Sequence, residues 1–377
     1  MKQDRSPMDG TLLPNLFAAA LLAPALRLIP RRTAYFAGRA CWVSIPTAIP
    51  FILLDIWFLT AFMKNRRPGE GLREMMFRAL GPVFGAGACA VFAAWMVFYC
   101  GFILRSGSER FVSTIYPSSH PWFFVAVMGG MGLAAALGRP ERLARVAKVL
   151  LPAAVIILAL VVGLSMTTMD FAELVPVKFS DAAPILKGSV TATNAVCALL
   201  TYSCFLEGDA PKKQGRFRMW AMWLIPVSIF LLLLCAATIG NFGSGLTADL
   251  NYPFFSMVRN IRILKTVERI EAIIVAMWVL PDFVLVSMLL IIASRSIISL
   301  LGYLPADAEK QPLLSMKCGR FVVPLCAAAA CAVSQAIAPD AFALEHYSHT
   351  VIPELNMALI FVLLPVIFAV GKLRKTI

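Results

Sequence analysis

Charge is scarce in this chain. Only 15% of its 377 residues are charged, and 60% are hydrophobic. Soluble domains rarely exceed half apolar, so an ordinary water-soluble domain is excluded. Histidine is scarcer still: His120, His346 and His349 are the three. They are scattered and make no metal set, although His346 and His349 can share one helical face. Cysteine shows no metal-ligand spacing, and Cys89, Cys100, Cys197, Cys204, Cys235, Cys326 and Cys331 fall inside apolar runs. They read as small apolar packing residues. There is no phosphate-cradling glycine loop, nucleophile elbow or HExxH motif. Nothing in the pattern points to an enzyme or to a cofactor. No short apolar region ending at a small-residue cleavage site follows the polar N-terminus, so no cleaved signal peptide is expected.

What is abundant is hydrophobic length. Runs of about 20 apolar residues recur, each long enough to cross a hydrocarbon core of roughly 30 Å. They are helix-length rather than alternating, and a bilayer admits only helices or closed barrels. An all-α polytopic membrane protein with one transmembrane domain is expected. Ten spans fall at about 11–31, 38–63, 80–105, 119–138, 147–169, 184–206, 218–241, 268–300, 319–338 and 348–371. The eighth is longer than needed, so it tilts or projects from the bilayer.

The net charge is +13. In a membrane protein this excess sets orientation and meets anionic lipid heads, and it carries no case for nucleic acid. Most of the 34 Lys and Arg fall in segments that are cytoplasmic if both termini are inside. Arg27, Arg31, Arg32 and Arg39 run against that trend.

Ten spans with both ends inside fit two five-helix repeats of opposite orientation, about 11–169 and 184–371. In that architecture spans 1 and 6 are expected to break near mid-membrane, their freed backbone forming a ligand site. Span 1, LLPNLFAAALLAPALRLIPRR, carries Pro24 inside its apolar run, which predicts a break near Leu22–Pro24. Span 6 carries Thr191, Thr193 and Asn194, followed by the small residues Ala195, Cys197 and Ala198. Such a cluster either admits a ligand or serves interhelical packing.

Carboxylates inside a membrane are costly and are functional candidates by default. Asp55 in span 2, Asp282 in span 8 and Glu354 near span 10 are the candidates for gating or an ion path. Asp282 follows Pro281, and its partner is Arg27 or Arg295. The stretch Tyr252–Asp282 has two halves. The first is basic and aromatic, of the type that lies in a bilayer interface. The second opens with Glu268 and Glu271, which share a face in the first turn of an apolar helix. They form a gate or docking point, or simply complement the helix dipole.

This stretch, YPFFSMVRNI…ERIEAIIVAMWV, resembles the signature of the spore germination permeases, the B subunits of germinant receptors (GerAB type). AGRACWVSIP, ILRSGSERF, GRPERLARVAKVLLP, ELVPV and PILKGS are similar to further family segments, in the same order. The resemblance implies the amino-acid/polyamine/organocation transporter fold, a LeuT-like inverted repeat. It implies a sensor of small nutrients, often amino acids, in the inner spore membrane, working with A and C subunits. The implied ligand site uses Leu21, Leu22 and Ala23 of span 1 and Thr193, Asn194, Ala195, Val196 and Cys197 of span 6. Tyr99 of span 3 and Ser287 of span 8 complete it. Two departures from the family pattern stand out. Span 1 lacks a glycine at its turn, and mid-span 6 lacks an acidic residue near Leu199. A coupled amino-acid transporter using Asp55 and Asp282, or a ligand-free structural subunit, are the competing readings.

Overall fold

The computed structural model describes residues 12–67, 70–114, 116–206, 216–260, 270–303, 311–338 and 341–376. Among the described residues every regular element is a helix, as backbone exposed to lipid requires. The first helix, α1 (Leu12–Ala37), is apolar on nearly every side and buries nearly every side. A helix with no polar face belongs in a core. Gly38, at φ +53°, opens a 3-10 turn, Gly38–Val43, that links α1 to α2 (Ser44–Lys64). Along α2 the buried positions Ile45, Ala48, Ile52, Asp55, Ile56 and Leu59 recur at helical spacing. The opposite face exposes Phe51, Leu54 and Trp57, apolar groups suited to lipid.

A short helix, α3 (Leu72–Leu80), leads into α4 (Pro82–Thr114), α5 (Pro121–Ala136) and α6 (Pro140–Ser165). The second half begins with α7 (Ala182–Phe205) and α8 (Arg216–Asp249). It continues with α9 (Pro253–Asn260), α10 (Ile270–Tyr303) and α11 (Gln311–Ile337). A final rod joins α12 (Ala341–His346), α13 (Ile352–Ala358) and α14 (Leu364–Leu373) through π turns at Tyr347–Val351 and Leu359–Leu363. At the centre, α1 packs on α6, α7, α8 and α10, while α4 packs on α5, α10 and α11.

Among the described residues, eight helical stretches are long and apolar enough to cross a membrane. The first of them, Leu12–Lys64, contains both α1 and α2, and α5 is a shorter apolar helix of 16 residues. The chain is an all-helical integral membrane protein. Two expected boundaries shift: α4 runs on to Thr114, and α6 starts at Pro140. Proline at a first helical position is pre-organised for that start.

The expected breaks in spans 1 and 6 are absent. Helix α1 continues through Leu21, Leu22, Ala23 and Pro24, and α7 continues through Thr193 and Asn194. Pro24 removes one hydrogen bond, but α1 is enclosed by four helices that hold its course. Neither helix has a mid-span glycine, so no residue there leaves helical φ at low cost. The break falls instead in α8, at Gly243, with φ 70° and ψ 170°. The basic, aromatic segment also differs from expectation as far as it is described. In α9, Phe254, Phe255 and Met257 are buried in the protein, and Phe255 packs on Trp278 at 4.6 Å. Apolar neighbours in α8, α1 and α6 cover the face that lipid would have covered.

Candidate ligand cavity and intramembrane charges

Helix α4 organises the centre. Tyr99, Phe102, Ser106 and Arg110 recur three or four residues apart, so they share one face. Against this face α1 presents Arg27, buried at 7% exposure. Arg27 Nη1 donates to Ser106 Oγ, and its guanidinium lies 5.1 Å from the Phe102 ring centroid. Arg27 Nε and Nη2 are buried with no hydrogen-bond partner among the described residues. A buried donor left unpaired costs about 1–3 kcal/mol, and more when charged. Arg27 therefore stands ready for an acceptor.

One turn further along α4, Arg110 Nη2 donates to Asp282 Oδ2 of α10 at 2.8 Å. Both side chains are buried, and the guanidinium carbon of Arg110 lies 5.1 Å from the Trp278 ring and 6.0 Å from Tyr252. Gly107 leaves room for the pair: a Cβ there would come within 2.9 Å of Met128 and 3.4 Å of Asp282 Oδ2. The partner of Asp282 is thus Arg110, neither Arg27 nor Arg295. Arg27 feels repulsion from Arg110 and attraction from Asp282. Asp282 bonds Arg110 alone, so Arg27 is left without a carboxylate partner in this cluster.

Arg27 and Ser106 open onto a cavity of about 310 Å³ between α1, α4, the α8–α9 connection and α12. Its wall carries both signs of charge. Glu109, Asp249 and Glu345 line it together with Arg27, Arg31 and His349. Some of these charges are already engaged. Arg31 Nη2 pairs with Glu345 Oε1 at 2.6 Å, and His349 Nε2 lies 3.3 Å from the same oxygen. Arg105 lies 3.4 Å from Glu109 Oε2.

The residues singled out in the sequence are distributed as follows. Asp55 is 2% exposed and accepts a hydrogen bond from the Cys197 thiol of α7. Thr193 and Asn194 are buried one turn away, each with an oxygen lacking a partner. Leu21, Leu22, Ala23 and Val196 pack in the core, and Ala195 is half-buried beside them. Ser287 donates to the Phe283 carbonyl of its own helix at 2.7 Å. Tyr99 stacks with Trp95 and Phe102, at 5.9 and 6.2 Å. None of these residues lines the 310 Å³ cavity. Glu354 is exposed. Glu268 and the Glu271 side chain lie outside the described residues.

Sequence reasoning missed Ser106, Glu109 and Arg110. It also missed a buried knot in which Trp95 Nε1 donates to Tyr202 Oη at 2.8 Å and to Asn356 Oδ1 at 3.0 Å, with Tyr202 donating to Asn356. The signal for Ser106 and Arg110 was present: both continue the Tyr99–Phe102 helical face past the last strongly apolar residue.

The fold is a transporter fold. It is similar to Mhp1, a nucleobase-cation-symport-1 family transporter solved in a closed conformation with bromovinylhydantoin bound. The likeness covers 98% of this chain and 80% of that one, at a TM-score of 0.64 and 11% identity. At that identity the likeness establishes the fold alone. Within this fold the sequence is more specific. The family described as spore germination protein matches residues 16–323, and the chain belongs to this family of spore germination permeases. It is also 24% identical over 273 residues to the spore germination protein YfkT of Bacillus subtilis (strain 168), across 70% of this chain and 73% of that protein.

Proposed function

We propose that this chain is the B subunit of a germinant receptor. In this reading it binds a small nutrient carrying a carboxylate, such as an amino acid, and so triggers germination and ion release. The observation that carries the reading is Arg27. It is a buried cation with two unpartnered nitrogens on the wall of a cavity of about 310 Å³. A ligand carboxylate satisfies both nitrogens and gives Arg27 the carboxylate partner it lacks in the cluster with Arg110 and Asp282. The ligand's ammonium end then faces Glu109 and Asp249. With α1 and α7 unbroken, side chains take the part that unwound backbone plays in the inverted-repeat plan.

On the same reading ten helices cross the membrane in two repeats, about 11–169 and 184–371, with both termini on the spore-core side of the inner membrane. One contact supports the inverted relation: Gly188, near the start of α7, lies against Ala37 at the end of α1. The two helices therefore run antiparallel. The A and C subunits of the receptor are the partners in this reading.

Likeness to a symporter fold favours one rival, a coupled transporter of the same ligand. A single comparison separates the two. Spores carrying wild-type chain or Arg27→Gln, with partner subunits present and protein levels matched, are screened against amino acids. Membrane vesicles are tested for gradient-driven uptake in parallel. The receptor reading expects the variant to need far more of one nutrient, with no uptake by either chain. An unchanged nutrient response with robust uptake overturns it.

A further inference from the structure

Asp55 has no ion-pair partner among the described residues, and no basic side chain exerts a pull on it. It sits in the inward stripe of α2 at 2% exposure, with Oδ2 lacking any hydrogen bond. The residue facing it on α7 is Cys197, whose thiol donates to the carboxylate. Around Cys197 on the same helical face stand Thr193, Asn194 and Thr201, at steps of four, three and four residues. Thr193 Oγ1, Asn194 Oδ1 and Thr201 Oγ1 are buried without partners. Five residues on from Asp55, Thr60 Oγ1 is also unpartnered and borders a void of about 10 Å³ with Leu200, Cys204 and Trp220. That is near the lower limit of room for one water.

An ionised carboxylate in this apolar contact costs several kcal/mol unless something neutralises it. Two neutralisers are available, a proton or a metal cation. A cation needs several oxygens converging on one point. Thr193 and Thr201 lie eight residues apart, about 12 Å along the helix, so they cannot share an ion. A proton needs one oxygen, and Oδ2 is free.

We infer that Asp55 is a proton-binding site built into the α2–α7 contact, separate from the nutrient cavity. Protonation forms one O–H bond at Oδ2 and removes the carboxylate charge; release returns the proton to water and leaves a bare charge between α2 and α7. The other titratable groups on this face are the Cys197 and Cys204 thiols. At the void beside Thr60 the side chain from α8 is Trp220, which carries no charge. Ionisation of Asp55 therefore strains the contact between the first and second halves of the chain. Cys197 acts as a positioning residue that fixes the carboxyl rotamer.

The test is labelling of the full-length reconstituted protein with N,N′-dicyclohexylcarbodiimide, which adds to protonated carboxyl groups in apolar surroundings. Adduct sites are read by peptide mass spectrometry across a pH series. The expected result is an adduct on Asp55, none on the ion-paired Asp282, and a yield falling about tenfold per pH unit above the midpoint. Sodium at fixed pH leaves the yield unchanged. Infrared difference spectra of the wild-type protein should show a protonated-carboxyl band on the same titration, absent in Asp55→Asn. No adduct, a yield independent of pH, or protection by sodium at constant pH each overturns the assignment.

Discussion

Arg110 of α4 and Asp282 of α10 close a buried ion pair at 2.8 Å, capped by the rings of Trp278 and Tyr252. Two charges withdrawn from water gain little net energy when paired, but removing one strands the other. Asp282→Ala is expected to lose about 3–5 kcal/mol of stability. The double change Arg110→Met with Asp282→Leu should recover most of that loss. Thermal unfolding of the detergent-solubilised variants checks both, and a double variant as unstable as the single refutes the pairing as the cause.

Arg27 gives the ligand prediction its magnitude. Hydrogen bonds to charged groups contribute about 1.5–3 kcal/mol. Arg27→Met should therefore raise the nutrient concentration for half-maximal germination by roughly 10- to 150-fold. Glu109→Gln should weaken the response to a zwitterionic nutrient while sparing a carboxylate ligand that lacks the ammonium. Dose–response curves on matched spores measure both.

Gly243 occupies φ 70° and ψ 170°, a region open almost only to glycine. A Cβ there would also sit 3.2 Å from Glu173 Oε2. Gly243→Ala is expected to cost about 1–3 kcal/mol. Membrane abundance should fall, and Glu173→Ala in the same chain should not restore it, because the strain lies in the backbone.

The knot of Trp95, Tyr202 and Asn356 ties α4, α7 and α13 together. Asn356→Leu leaves a buried indole N–H and a phenol O–H with one acceptor fewer, a loss of about 1–3 kcal/mol. Tyr202→Phe removes a donor and should cost less, about 1 kcal/mol. Unfolding midpoints of the two variants give the order.

The class of protein and most helices were legible because hydrophobic length is a local property. Asp55 and Asp282 were also legible, since a carboxylate inside an apolar run needs no distance to be noticed. Both lie buried. Their partners were hidden, because Arg110 stands beyond the end that hydropathy assigns to the span. Arg105, Glu109 and Arg110 depress the local average there, yet the helix continues to Thr114. Arg105 and Glu109 pair with each other within α4, and Arg110 pairs with Asp282 of α10. Pro24 misled in the opposite direction: it predicts a broken helix, while α1, packed by four neighbouring helices, continues through it. The cavity was illegible for a simpler reason. Its wall joins residues as distant as Arg27 and His349, and no spacing rule connects them.

Ser106 and Arg110 sit one turn apart on the same side of α4, one gripping Arg27 of α1 and the other Asp282 of α10. The helix is thus a spindle engaged by two pawls. Under the proposed function, an anion bound at Arg27 would act on the same helix that holds Asp282. With α1 and α7 both continuous helices, α4 is the element that joins the wall of the cavity to the buried ion pair of α10.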